Sequence, residues 1–262
     1  MIYVITHKKF DAKLDEHYKI LHVGLNNNCA SSYLRDDTGV NISVKNPNYC
    51  ELTGLYWIWK NDTSDPDEIT GLVHYRRYFT TEKEYLAYTY FNVMPQILAY
   101  KKIEEVMSEN DILLPKKKKA LRTTREVYAY QHLDEDIALL RNAISTVSPD
   151  YISSFDQAMN SREYYYANMM ICRKKTLDQY CEWLFPVLFE LEKHIDLDKY
   201  ESDYQRRVFG FLAERLVKVF VDHNELKVKE FYVFNTESRD ENIIQTNVDR
   251  LKRLLNKKKT KR

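Results

Sequence analysis

Two strings, Glu51-Leu-Thr-Gly-Leu-Tyr-Trp-Ile-Trp-Lys-Asn61 and Gly71-Leu-Val-His-Tyr-Arg-Arg-Tyr-Phe79, decide the fold class of this 262-residue chain. In the first, Leu52, Leu55, Tyr56 and Trp59 recur at i, i+3, i+4 and i+7, which predicts a helix with one apolar face. Residues 62–68, with Ser64, Pro66 and several acids, read as a loop. The second string is rich in Val, Tyr and Phe and reads as one strand. Alternation puts Leu72, His74, Arg76 and Tyr78 on one face and Val73, Tyr75, Arg77 and Phe79 on the other. Both faces therefore mix apolar and basic side chains. An unpaired buried charge is costly, so at least one of His74, Arg76 and Arg77 is expected to meet an anion. Core carboxylates and an anionic ligand at the strand end both satisfy that need.

Working outward, strands are expected over residues 2–5, 18–24, 111–115, 165–172 and 228–234. Helices are expected over 97–107, 134–147, 175–194 (with a kink at Pro186) and 203–221. Strands and helices alternate without repeats or Gly/Ser linkers. That predicts a single α/β domain, residues 1–248, with a mainly parallel sheet flanked by helices. Ligands of such sheets sit at the carboxyl ends of the strands. Thr6-His7-Lys8 ends the first strand and Arg76-Arg77 falls late in the organising strand. Two basic ends meeting at one crevice point to a phosphate site.

Composition narrows the classes. A hydrophobic content of 44% supports a real core, and five glycines form neither G-x-G-x-x-G nor a P-loop. The 21 tyrosines suit stacking and hydroxyl recognition, or simply a large, wet core. Cys29, Cys50, Cys172 and Cys181 make no C-x-x-C and no zinc spacing. No signal peptide is expected, because Met1-Ile-Tyr-Val-Ile-Thr6 runs straight into a strand pattern. No apolar run reaches transmembrane length. A reducing cytoplasm is the simplest setting. Net charge is +1 overall and +7 over residues 249–262, which leaves −6 on the other 248 and argues against nucleic acid as a partner. In 249–262, Leu251, Leu254 and Leu255 recur among Arg250, Lys252 and Arg253 before a lysine run. This basic amphipathic tail is expected to bind an anionic membrane surface from the cytoplasmic side.

Several strings together resemble a known family: Ile2-Tyr-Val-Ile-Thr-His-Lys8, Asp37-Thr-Gly-Val-Asn-Ile-Ser-Val-Lys-Asn46, Tyr49-Cys-Glu51 continuing to Asn61, residues 71–79, Tyr166-Ala-Asn-Met-Met-Ile171 and Arg207-Val-Phe-Gly-Phe-Leu-Ala-Glu-Arg-Leu216. The resemblance is to the bacterial glycosyltransferases first catalogued as the domain of unknown function 4422, from capsule and exopolysaccharide clusters. It covers the chain up to about residue 222. One departure is Val40, where the family carries Asp in Asp-Thr-Gly-Asp-Asn, so no donor or metal role carries over to that position. The resemblance implies a GT-A-like (Rossmann-like) fold and transfer from a UDP-sugar donor, galactofuranose or galactose, to a lipid-linked glycan acceptor. An inverting outcome is expected.

Sugar transfer requires a stabilised diphosphate, a deprotonated acceptor hydroxyl and an oriented sugar. Many GT-A enzymes use a divalent metal on Asp-x-Asp, but the comparable strand end here reads His74-Tyr75-Arg76-Arg77. A divalent metal, Mn or Mg, is therefore disfavoured, since protein cations supply the charge. The only nearby acidic pair, Asp36-Asp37, reads as a solvated turn. Donor-binding candidates are Thr6, His7, Lys8, Lys45, Asn46, His74, Arg76 and Arg77. Trp57, Asn168 and Arg215 are candidates for sugar or acceptor contacts, against plain structural readings of Trp57 as core and Asn168 as satisfied by backbone. Glu214 is the first candidate for general base, with Asp156 and Asp203 behind it, and an ion pair with Arg215 is its structural alternative. A non-catalytic nucleotide-sugar or glycan-binding scaffold shares all these features and lacks only a working base.

Overall fold

The computed structural model describes residues 1–91 and 93–237. The tail segment 249–262 lies outside the described residues. In chain order the elements are β1 (Ile2–Thr6), β2 (Tyr18–His22), β3 (Leu34–Arg35), α1 (Asn46–Tyr49), α2 (Leu52–Asn61), β4 (Ile69–His74), β5 (Arg77–Thr80), α3 (Glu82–Phe91) and α4 (Tyr100–Met107). Then come β6 (Ile112–Pro115), β7 (Lys118–Lys119), α5 (Thr124–Ala129), α6 (Glu135–Val147), α7 (Ile152–Asn160), β8 (Glu163–Tyr164), β9 (Met170–Arg173), α8 (Lys174–Glu192), α9 (Val208–His223) and β10 (Val228–Asn235).

β1 and most of β4 are buried at every position, as apolar runs covered on both faces require. α2 lies against β1 and β2 through Gly54, where an added Cβ would come within 2.8 Å of Ile5 Cδ1 and 2.9 Å of Val23 Cγ1. Its Leu52, Leu55 and Ile58 are buried, and Trp59 stacks on Phe185 of α8 at 5.6 Å. α8 runs through Pro186 as one continuous helix. No helix among the described residues is long and apolar enough to cross a membrane.

The main sheet is mixed. β3, β2, β1 and β4 pair in parallel in that order. β9 pairs antiparallel with both β4 and β6. β6 pairs parallel with β10, which is antiparallel to β5. β5 returns to β4 at the single pair His74–Arg77, so β4, β5, β10, β6 and β9 close a hydrogen-bonded ring. The expected mainly parallel sheet is therefore corrected, although the α/β character stands.

The physical reason lies in the organising stretch. Residues 71–79 are two strands, folded back at Tyr75-Arg76. A two-residue connection can join only antiparallel neighbours, whereas a parallel crossover needs about a dozen residues. Tyr75-Arg76 carries none of the Asn-Gly or Asp-Gly chemistry that marks such turns, so alternation alone reads it as one strand. Two further elements are shorter than expected. The strand expected over 165–172 begins at Met170, after an irregular segment in which Ala167 has φ +62°. The helix expected over 203–221 begins at Val208, which leaves Asp203 in a loop. Asp36 is not a solvated turn residue: it is buried and accepts from Gly24 N–H (3.0 Å) and Ser43 Oγ (2.5 Å). Asp37 pairs with Arg35.

Gly71 makes the β4–β9 pairing possible, because a Cβ there would lie 2.2 Å from the Met170 carbonyl oxygen and 2.7 Å from Ile171 Cα. Backbone cannot step aside as a flexible side chain does. Gly71→Ala is expected to destabilise the fold by at least ~1–3 kcal/mol, the range for forced overpacking, read as a lower chemical-denaturation midpoint. An unchanged midpoint contradicts this packing.

Candidate active site

Parallel pairing of β1 with β4 sets Ile5 opposite His74 and brings the two carboxyl ends side by side. The Tyr75 N–H donates to the Ile5 carbonyl at 3.0 Å, and the His7 ring meets the Tyr75 ring edge-on at 5.3 Å. The Tyr75-Arg76 turn then presents Arg76 and Arg77 over the same end. The Thr236 N–H holds the Arg76 carbonyl at 2.9 Å.

The opposite wall comes from α9. Gly210, Phe211, Glu214 and Arg215 recur at helical spacing, with Arg207 just before the first turn, so one face of the helix carries them all. Gly210 lets this helix approach α1, since a Cβ there would sit 3.3 Å from Cys50 Sγ. Arg207 Nε donates to Cys50 Sγ at 2.9 Å. Between the walls lies a cavity of about 460 Å³. Four arginines (Arg76, Arg77, Arg207 and Arg215), His7, His74 and His132, and the two carboxylates Glu51 and Glu214 line it.

The irregular segment before β9 holds both carboxylates. Asn168 Nδ2 donates to Glu51 Oε1 (2.6 Å) and to the Gly210 carbonyl (3.1 Å). The Ala167 backbone acts to lower the Glu214 pKa and the Asn168 backbone to raise that of His74. Arg215 Nη1 reaches Glu214 Oε2 at 2.7 Å, and the Arg215 guanidinium lies over the Tyr128 ring. Burial raises the Glu214 pKa above its ordinary value, against the lowering effect of Arg215, and Glu51 adds to the rise. Burial lowers His74, whose Nε2 is buried without a partner. Burial also lowers His7, with Lys8, Arg76 and Arg207 acting in the same direction. Burial pushes the Cys50 thiol up to about 12, so it stays protonated beside Arg207.

Of the residues singled out from sequence, Thr6, His7, Asn46, His74, Arg76, Arg77, Glu214 and Arg215 line this one cavity. Thr6 and Asn46 do so with polar groups already engaged: Thr6 Oγ1 with the Lys8 backbone, and Asn46 Nδ2 with the Cys50 carbonyl and Thr53 Oγ1. The others do not line it. Lys8 pairs with Glu237 at 2.8 Å and Lys45 with Glu192 at 2.6 Å. The Trp57 indole N–H donates to the Thr38 carbonyl at 3.0 Å, and its ring meets Tyr3. Asn168 does not line the cavity: its Nδ2 donates to Glu51 and Gly210, while its buried Oδ1 has no partner. Asp156 forms a paired contact with Arg141, both bonds at 2.8 Å. Asp203 is fully exposed and lines a neighbouring groove.

Sequence reasoning passed over Glu51, Arg207, Gln131 and His132. Glu51 opens the α2 string, where the apolar periodicity gives it no role. Arg207 opens the quoted α9 string, and its spacing of seven to Glu214 is the signal that would have placed it. Nothing local marks Gln131 or His132. Tertiary packing brings them in, with His132 stacked on Phe211 at 4.3 Å.

The profile of the family described as a domain of unknown function, DUF4422, matches residues 1–225. The chain belongs to this family. Among solved structures it is similar to the apo structure of WbbM, a bifunctional glycosyltransferase, with a TM-score of 0.77 and 30% identity. That match covers 90% of this chain and 45% of WbbM, so the chain spans less than half the length of that protein. No curated protein matches the chain.

The cationic surroundings of His7 give a signed expectation. Its imidazole titrates below 6.5, and Arg76→Ala or Arg207→Ala moves the midpoint upward by removing a repelling charge. Histidine side-chain NMR across a pH series reads both. A midpoint indifferent to both substitutions removes His7 from the cavity's electrostatics.

Proposed function

We propose that this chain is a glycosyltransferase domain that uses the cavity to hold the diphosphate of a nucleotide-sugar donor. The observation that carries this reading is the charge of the lining. Four arginines against two glutamates leave a surplus of +2 with the histidines neutral. A cationic surplus gathered in one cleft attracts an anion, and a diphosphate matches it through charge-assisted hydrogen bonds. The family membership and the similarity to WbbM support the same class of reaction. The donor is read as a UDP-sugar carrying galactofuranose or galactose, on a GT-A-like scaffold.

The reaction follows from the placement of the groups. An acceptor hydroxyl oxygen attacks the anomeric carbon, and the bond from that carbon to the β-phosphate oxygen breaks. The electron pair leaves with the diphosphate, where Arg76, Arg77 and Arg207 meet the growing charge. The hydroxyl proton passes to Glu214, whose raised pKa suits a base. Attack from the face opposite the leaving group inverts the anomeric centre.

Both cavity carboxylates are engaged within the protein. Glu51 is held by the Asn168 amide and Glu214 by Arg215, and among the described residues no cluster of three or more His, Cys, Asp or Glu groups has metal-holding geometry. On this reading the cations carry the leaving-group role. The acceptor is read as a lipid-linked glycan in capsule or exopolysaccharide assembly. The basic segment 249–262 is proposed to keep the enzyme at the anionic inner membrane surface where such a lipid resides.

Arg76→Ala and Arg77→Ala are each expected to weaken donor binding by ~1.5–3 kcal/mol, the range for hydrogen bonds to charged groups. Glu214→Gln is expected to keep donor affinity and lose at least ~100-fold in turnover. In the wild type, rate falls with acidification at a pH above the ordinary glutamate value of 4.5, because protonated Glu214 is no base. Nucleoside diphosphate release with a lipid-linked acceptor reads the rate. A folded Glu214→Gln enzyme near full activity removes the base assignment, and donor binding with no turnover in the wild type favours the scaffold reading.

A further inference from the structure

A second depression, about 770 Å³, opens beside the cavity and shares Pro47, Tyr204 and Arg207 with it. Its chemistry differs. Beyond the shared wall it is lined by Asp198, Asp203 and Arg206, with Asn48 and Leu197 below. Tyr204 is 58% exposed, and its ring rests on Phe211 at 5.1 Å with the Arg207 guanidinium 5.7 Å away. The Asn48 amide donates to the Arg206 carbonyl at 2.9 Å and fixes this loop against α1. The Asp203 carboxylate is fully open to the groove, with only a 3.8 Å contact to Arg206. Arg206 Nε is buried and without a partner.

Charge is thus divided between the two depressions. The cavity carries a surplus of cations, which suits a diphosphate. The groove sets two carboxylates, Asp198 and Asp203, against Arg206 and the shared Arg207, so its charges balance beside an open aromatic face, which suits a neutral polyol. An aromatic ring covers the apolar face of a sugar, and carboxylates accept from its hydroxyls. Resting on the glycosyltransferase reading above, we propose that this groove binds the acceptor saccharide, with Tyr204 as its platform and Asp198 and Asp203 as its hydroxyl acceptors. Arg207 stands at the junction, where the donor diphosphate ends and the acceptor begins. Seven residues, roughly 10 Å of helical rise, separate Arg207 from Glu214. A saccharide lying across the junction has that distance to cover before its hydroxyl reaches the base, which favours an oligosaccharide over a single sugar.

The test is saturation-transfer NMR on the full chain with lactose, maltose and cellobiose as probes, each with and without saturating UDP. UDP affinity is measured separately by calorimetry. Transfer to at least one disaccharide is expected, and it persists with UDP bound because the two sites are distinct. Tyr204→Ala is expected to reduce the transfer at least fivefold, Tyr204→Phe to retain it, and Asp203→Asn to reduce it while UDP affinity changes less than twofold. No transfer to any probe, transfer abolished by UDP, or transfer unchanged in Tyr204→Ala overturns the proposal. Disaccharide binding without UDP binding sinks the donor reading and leaves the groove standing. UDP binding with any of the overturning results sinks the groove alone.

Discussion

Four arginines and two glutamates line one cavity in this protein, and that imbalance is the constraint on which its site depends. Charges removed from water demand partners. Glu214 is matched by Arg215, and Arg76 reaches out to Glu237 at 3.5 Å. Arg77 has no carboxylate within ion-pair distance among the described residues, and Arg207 has a neutral thiol at its Nε. Glu51 and Glu214 act on Arg207 and Arg77 through space without forming ion pairs with them.

Backbone geometry makes the arrangement possible. The β1–β4 register aligns two strand ends, the Tyr75-Arg76 turn swings two guanidinium groups over them, and one face of α9 closes the far side. Ala167 and Asn168 then reach in from below and tie Glu214, Glu51 and His74 to one short segment. The positive φ of Ala167 belongs to that segment, where regular strand geometry would point these groups elsewhere.

Much of this was legible before any coordinates. The period of α2, the apolar run of β1 and the basic strand ends are local signals, and they led to the crevice where His7, Arg76 and Arg77 meet. Glu214 was legible from the α9 string for the same reason. What failed was non-local. Tyr75-Arg76 turns without a turn-forming residue, because the pairing of β5 with β10 imposes the reversal. Asn168 has the composition of a sugar contact, and packing directs its Nδ2 to Glu51 and Gly210 while leaving its buried Oδ1 without a partner. Lys8 and Lys45 have the right charge, but each meets a distant glutamate, 229 and 147 residues away in sequence.

The proposed use of protein cations in the leaving-group role has a practical consequence. Guanidinium groups hold a diphosphate through directed hydrogen bonds, so the affinity of the site resides in the phosphates more than in the base or sugar. The most direct measurement is calorimetric titration of the full chain with UDP and with uridine under identical low-salt conditions and without added divalent cation. The account predicts that UDP binds at least tenfold more tightly than uridine, with the gap narrowing as salt is raised. Equal affinities for the two, or a UDP advantage seen only after a divalent cation is supplied, would contradict it.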